Sequence, residues 1–165
     1  MKSTPIRCPV PDEQQPLNEY EEIKASWFYS WGHRPLKGYL LPIAILWGLS
    51  WIIVGPTVSV NFAPDRWLGQ FGLVGTAGSF VVPTLALTQL YTGWRHVGDR
   101  LIKAAVPYEE SGWYDGQVWV KPEGVANRDR LIHSYEIKPV LKRLHLTFAA
   151  IAGLLCAEGL IWQLI

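Results

Sequence analysis

Three long runs free of formal charge dominate the pattern of apolar and polar positions along this 165-residue chain. Gly38 to Val60 (GYLLPIAILWGLSWIIVGPTVSV) runs for 23 residues, Leu68 to Trp94 for 27, and Leu144 to Ile165 is interrupted only by His145 and Glu158. A helix needs about 20 apolar residues to cross roughly 30 Å of hydrocarbon, so each run predicts a membrane span. Pro83 and the glycines of the second run fit that assignment, because bilayer helices tolerate both better than soluble ones do. A soluble alternative would have to bury all three runs, and so short a chain has too few other residues to cover them.

The stretches between the runs carry weaker periodicities. Tyr20, Ile23, Trp27 and Trp31 recur at helical spacing and predict an amphipathic helix of about 14 residues lying in the membrane interface, its aromatics at headgroup level. Asn18, three residues before Glu21, reads as a capping-box-like start, with Glu19, Glu21 and Glu22 favoured by the helix dipole. Pro9, Pro11 and Pro16 are expected to hold residues 8–16 extended. Beyond the second run the helix is expected to continue from Arg95 to Ala105 and to stop at Pro107. Asp115-Gly116, with Trp113 and Tyr114 before it and Val118, Trp119 and Val120 after, predicts a tight hairpin. Asn127 suits the cap of a short helix, and Pro139 suits the first turn of the helix that becomes the third span. The expected fold class is therefore all-α integral membrane: three transmembrane helices, an N-terminal interfacial helix and a small cytoplasmic β-hairpin cap. The expected division is arm and interfacial helix 1–37, spans 38–60, 68–94 and 144–165, a short link 61–67 and a cap 95–143.

Charge sets the expected direction of the spans. Of the fifteen Lys and Arg, five lie in residues 1–37 and nine in 95–143, whereas the first link holds only Arg66. Fourteen against one predicts an N-terminus and cap on the cytoplasmic or stromal side and a C-terminus across the membrane. The net charge of +1, without a clustered basic run, gives no reason to expect nucleic-acid binding. The N-terminal residues have no apolar signal core and are too acidic for a transit peptide, so the expectation is a chain used from Met1. Cys8 and Cys156 form no CxxC pair and are expected to be free thiols.

Candidate chemistry is sparse. No Walker, Rossmann, HExxH, CxxC or GxSxG pattern occurs, and no enzymatic activity is expected. Glu158 stands out, since a carboxylate inside a span carries an insertion cost and is a functional candidate by default. Counted down straight helices it falls level with Ser50 and with Pro83-Thr84, where it is expected to donate a hydrogen bond, for instance to the Ser79 carbonyl freed by Pro83. Rival roles are a contact with another subunit or a pigment magnesium, or proton transfer. His33, His96 and His145 all fall near the cytoplasmic face, a placement compatible with chlorophyll or haem ligation and equally with snorkelling helix ends. Gly72, Gly75 and Gly78 form a small-residue stripe for helix packing, within the chain or with a partner. The proline-rich arm with Pro9, Pro11 and Glu13 reads as an inexpensive ligand for a partner's groove, because it has little chain entropy left to lose. Trp27, Trp31, Trp113, Tyr114, Asp115 and Trp119 complete the expected partner-binding set.

The blocks CPVPDEQQPLNEY, SWFYSW, YEESGWYDGQVWVKP and RDRLIHSYEIKPVLKRL resemble those of the hypothetical chloroplast reading frame thirty-six family, related to a group conserved in green algae, plants and diatoms. The likeness covers nearly the whole chain. It implies an integral thylakoid protein of oxygenic phototrophs, loosely tied to the maintenance of photosynthetic complexes and to iron limitation, and it supplies no catalytic residues. Without a transit peptide the chain is expected to be a cyanobacterial or plastid-encoded member. The expected function is a non-catalytic accessory or assembly factor that sits in the bilayer and binds photosystem or other thylakoid subunits. The contrasting expectation is a protein that handles chlorophyll, carotenoid, haem or metal through the three histidines and Glu158.

Overall fold

Apolar side chains concentrate where four segments meet around one aromatic residue, Trp94, which is fully buried. The computed structural model describes residues 9–108 and 117–164. Helix α1 (Pro16–Ala25) leads through a 3-10 turn (Tyr29–His33) into α2 (Leu36–Ser59). Helices α3 (Leu68–Ser79) and α4 (Val81–Ile102) meet at a break on Phe80. Two antiparallel strands follow, β1 (Ala105–Tyr108) and β2 (Gln117–Val120). Helix α5 (Glu123–Ile132) then runs through a π-helical turn (His133–Ile137) into α6 (Lys138–Trp162). The result is mostly helical with one small hairpin.

Three helical stretches are long and apolar enough to cross a membrane: Leu36–Ser59, Leu68–Ile102 and Glu123–Trp162. Only 17%, 22% and 11% of their most apolar windows are buried inside the protein, so most of this surface needs an external cover. The core lies at one end of the helices. Tyr20 and Ile23 of α1, Trp31, Leu90, Trp94, Val97 and Leu101 of α4, and Ile137, Val140 and Leu144 of the third stretch pack together there. Gly93 permits this closeness: a Cβ there would lie 2.4 Å from the Tyr29 ring, and the Tyr29 carbonyl accepts from Trp94 Nε1 at 3.1 Å. Bulk at position 93 would push the turn off α4 and orphan a buried donor.

The polar connections depart from the sequence expectations in several places. Helix α1 is shorter than expected and starts earlier, because Pro16 occupies its first turn, where a missing N–H costs nothing. Asn18 is no cap, and its amide donates to the Asp12 carbonyl at 2.8 Å. The stripe Tyr20, Ile23, Trp31 is buried against α4 and its neighbours, not laid on an interface, and only Trp27 points outward, at 85% exposure. The proline arm is not extended throughout, since a 3-10 turn over Asp12–Gln14 folds it back and buries Val10.

The hairpin exists in a different register from the expected one. Gln117–Val120 pairs with Ala105–Tyr108, Val106 facing Trp119 and Pro107 facing Val118. Helix α4 ends at Ile102, where Lys103 turns to extended angles, so Pro107 lies inside a strand and ends no helix. A two-stranded ribbon has only edge strands, where proline's missing donor is harmless. Asp115-Gly116, with Trp113 and Tyr114 before it, lies outside the described residues. Helix α5 begins at Glu123 after Pro122, four residues ahead of Asn127, which is exposed and caps nothing. Pro139 does occupy the first turn of α6.

Candidate functional site

Basic side chains on the core end of the molecule reach inward and lash the cap together. Lys121, first residue after β2, has its ammonium fully buried and donates to the carbonyls of Arg100 (3.1 Å) and Leu101 (3.0 Å) and to Asp129 Oδ2 (2.6 Å). Two of those acceptors are among the last carbonyls of α4, which have no partner within the helix. The cation therefore caps α4, and Asp129 of α5 neutralises it, with Arg128 also donating to Asp129 Oδ1 at 3.1 Å. Hairpin, α4 and α5 are held by this one ammonium.

Three further clusters do the same for the N-terminal segment. Arg100 pairs with Glu19 and donates to the Gln14 carbonyl, fixing both α1 and the folded arm to α4. Burial outweighs the attraction of Arg100 and leaves the Glu19 carboxyl above its ordinary value of 4.5. Glu136 on the π turn receives Lys24 (3.4 Å), Tyr20 (3.3 Å) and His33 (3.3 Å). Arg143 of α6 donates to the carbonyls of Arg34 (2.6 Å) and Gly32 (3.4 Å), with its guanidinium 5.4 Å from the centre of the Tyr39 ring. None of these pairs was anticipated from the sequence. The signal for Lys121 was present in a charged residue directly after an alternating VWV strand, eight residues before the acidic Asp129.

The histidines are distributed among these clusters. His33 touches Glu136 and stacks on Trp94, and His145 Nε2 lies 3.2 Å from the Tyr91 hydroxyl. His96 lines a shallow groove of about 360 Å³ beside Glu19 and Glu22. Among the described residues no three His, Cys, Asp or Glu are grouped to hold a metal ion. A ligand on His33 or His145 would first have to displace the contact each already makes.

Glu158 falls elsewhere than expected. Its carboxylate borders a groove of about 230 Å³ with Leu73, Val74 and Ala77 of α3, and its Oε2 has no partner among the described residues. Ser50 donates to the Leu46 carbonyl and is not available to it. Aligning the runs at their hydropathy edges misplaced the residue by about two turns. His145 stands level with Tyr91, and thirteen residues onward along each antiparallel helix brings Glu158 to the neighbourhood of Ala77.

The glycine stripe divides. A Cβ on Gly75 would lie 2.3 Å from the Trp51 ring and one on Gly78 would lie 3.0 Å from Val54, so these two seat α3 against α2. Gly72 has open space at its Cβ position. In the proposed partner-binding set, Trp27 is exposed, Trp31 is buried, Trp119 is half-buried, and Pro9 and Glu13 are exposed beside the half-buried Pro11.

Comparison with known proteins places this arrangement. The family model CGLD27-like, described as conserved in the green lineage and diatoms 27, matches residues 8–150. The chain belongs to the CGLD27-like family. This CGLD27-like chain is 42% identical over 147 residues to the protein conserved in the green lineage and diatoms 27, chloroplastic, of Arabidopsis thaliana, a match that covers 88% of the chain and 45% of that relative. It spans less than half of the Arabidopsis protein. It is also 39% identical over 150 residues to the uncharacterized protein ycf36 of Cyanophora paradoxa and 36% identical over 156 residues to ycf36 of Porphyra purpurea. Those matches cover 87% and 94% of the chain, and 91% and 94% of the relatives. The resemblance carried by the CPVPDEQQPLNEY and RDRLIHSYEIKPVLKRL blocks is borne out. No solved structure matches the CGLD27-like chain.

Proposed function

We propose that this CGLD27-like chain is an integral thylakoid protein whose cap docks onto a photosynthetic membrane complex as a non-catalytic assembly or accessory factor. The observation that carries the reading is a cap locked by buried ion pairs that nevertheless displays large apolar side chains. Val118 and Val120 of β2, Leu131 of α5 and Tyr135 of the π turn are 58%, 70%, 59% and 76% exposed. A rigid framework that spends buried charges on its own shape and leaves such groups outward has the features of a preformed docking surface. The folded arm fits this reading differently than an extended ligand would, because Val10 is already seated on the protein itself.

Three apolar helical stretches and the fourteen-to-one distribution of Lys and Arg support a three-span placement, cap and arm on the cytoplasmic or stromal face. Single cysteines at Lys37 and Arg66, in a background with Cys8 and Cys156 replaced by serine, test the geometry in sealed vesicles. An impermeant maleimide is expected to reach the two positions from opposite sides; labelling of both from one side rejects the placement. Docking is tested by capture of the tagged full chain from mildly solubilised thylakoid membranes. A photosynthetic subunit is expected with the wild type and is expected to be lost with Val118→Lys combined with Tyr135→Ala. Recovery of no such subunit, or equal recovery with the variant, overturns the role.

A further inference from the structure

A groove of about 500 Å³ opens between the aromatic turn and the first turns of α2. Trp27, Phe28 and Trp31 make one wall, stiffened by ring contacts of 5.8 Å from Phe28 to each tryptophan. Leu41 and Ile45, one turn apart on α2, make the other wall and are 61% and 50% exposed. Arg34 also lines the groove. The volume lies in the range of about 300–1,000 Å³ in which small amphiphilic ligands are held.

The walls and the charge are separated by depth. Leu41 and Ile45 lie five and nine residues beyond the first residue of α2, which places them roughly 8 and 14 Å further along the helix axis. Arg34 precedes the helix, and its carbonyl is anchored by Arg143 at 2.6 Å. Its guanidinium donates to Ser30 Oγ at 3.3 Å, and among the described residues no carboxylate pairs with it. Unlike the other inward-reaching arginines, Arg34 therefore has a planar donor fork to offer outward. Such a fork matches the geometry of a phosphate, and basic pockets beside membrane helices on the cytoplasmic side are suited to acidic headgroups.

We propose that this groove binds one membrane lipid with an anionic headgroup, its acyl chain between the aromatic wall and Leu41–Ile45 and its phosphate on Arg34. The inference rests on α2 crossing the bilayer as proposed above. A water-borne peptide would have to enter hydrocarbon to reach Ile45, whereas a lipid is already there. The cation at the mouth and the apolar walls below repeat the order of charge and tail in the lipid itself. Trp27, the most exposed tryptophan among the described residues at 85%, gains a cover from the chain it holds.

Native mass spectrometry of the full chain in detergent, titrated with phosphatidylglycerol or with phosphatidylcholine of the same acyl chains, tests the proposal. Phosphatidylglycerol adducts are expected to predominate. Arg34→Gln is expected to lower their occupancy roughly tenfold, the loss of one charged hydrogen bond, and Arg34→Lys to recover part of it. Ile45→Trp, which fills the groove, is expected to lower both lipids, with an unchanged helical circular dichroism spectrum as the check on folding. Equal occupancy of the two lipids, indifference to both Arg34→Gln and Ile45→Trp, or a dimer in place of the adduct each overturns it. Extraction of the protein from membranes by alkaline carbonate would reject the three-span reading first; a protein that stays inserted but shows no headgroup preference rejects the lipid site alone.

Discussion

Lys121 shows how a single residue decides whether the cap holds. Removing one member of a buried ion pair strands its partner, a loss of about 3–5 kcal/mol, while replacing both with apolar groups is often tolerated. Lys121→Met is expected to fall in that range, more so because two end carbonyls of α4 lose their donor with it. The double variant Lys121→Met, Asp129→Leu is expected to recover part of the loss. Thermal unfolding in detergent, followed by circular dichroism, measures both; a Lys121→Met variant as stable as wild type would show the pair to be unimportant. Glu19 makes a second residue-level case with a defined sign. Its carboxyl is raised in the folded protein, so between 4.5 and that raised value the native state binds more protons than the unfolded one. Stability is then expected to fall as pH rises through this window. Glu19→Gln is expected to flatten that part of the unfolding profile, and an unaltered profile would assign the slope to another group.

At the scale of elements, Gly75 and Gly72 separate by what faces them. Gly75→Ala drives a methyl into the Trp51 ring and is expected to cost about 1–3 kcal/mol through strain at the α2–α3 seam. Gly72→Ala meets open space and is expected to be neutral or to stabilise by up to about 1 kcal/mol. Parallel unfolding curves decide the matter, and a similar change in both would mean that the seam does not depend on Trp51. The apolar runs were legible because their length has few alternative explanations: α2 covers Leu36–Ser59 against an expected 38–60. Strand β2 was legible from the alternation around Trp119, but its partner was not, because Ala105–Tyr108 reads as a helix tail closed by proline. Pairing a strand with a segment several residues distant leaves no local signature, whereas Asp-Gly beside an aromatic pair leaves a strong one. The stripe Tyr20, Ile23, Trp31 was read with the right period and the wrong neighbour: periodicity shows which side is apolar and not whether lipid or α4 covers it. The ion pair of Arg100 with Glu19 and the hydrogen bond from Arg143 to the Arg34 carbonyl join residues far apart in the chain and could be seen only once the helices were placed.

For the whole molecule, the decisive relation is between a small core and three long, sparsely buried rods. The core occupies one end, around Trp94, and towards the other end the rings of Phe62 and Trp162 meet with centroids 5.8 Å apart. Glu123–Trp162 is one helical stretch of 40 residues, roughly 60 Å long, that begins in the cap and ends at the opposite extremity. The π turn at His133–Ile137 interrupts its hydrogen bonding without breaking its course. In the proposed three-span placement, a change of bilayer thickness that altered the tilt of the third rod would work on a lever whose cap arm carries α5 and Asp129. Ten degrees of added tilt displaces the tip of an arm of about 30 Å by roughly 5 Å, enough to spoil a hydrogen bond of the length that joins Lys121 to Asp129. Spin labels at Asn127 and Arg66 are therefore expected to report a changed separation between thin-lipid and thick-lipid nanodiscs, and an invariant separation would show the lever to be locked. In that placement a rod shared between bilayer and lid would make membrane thickness itself a signal that the lid could read.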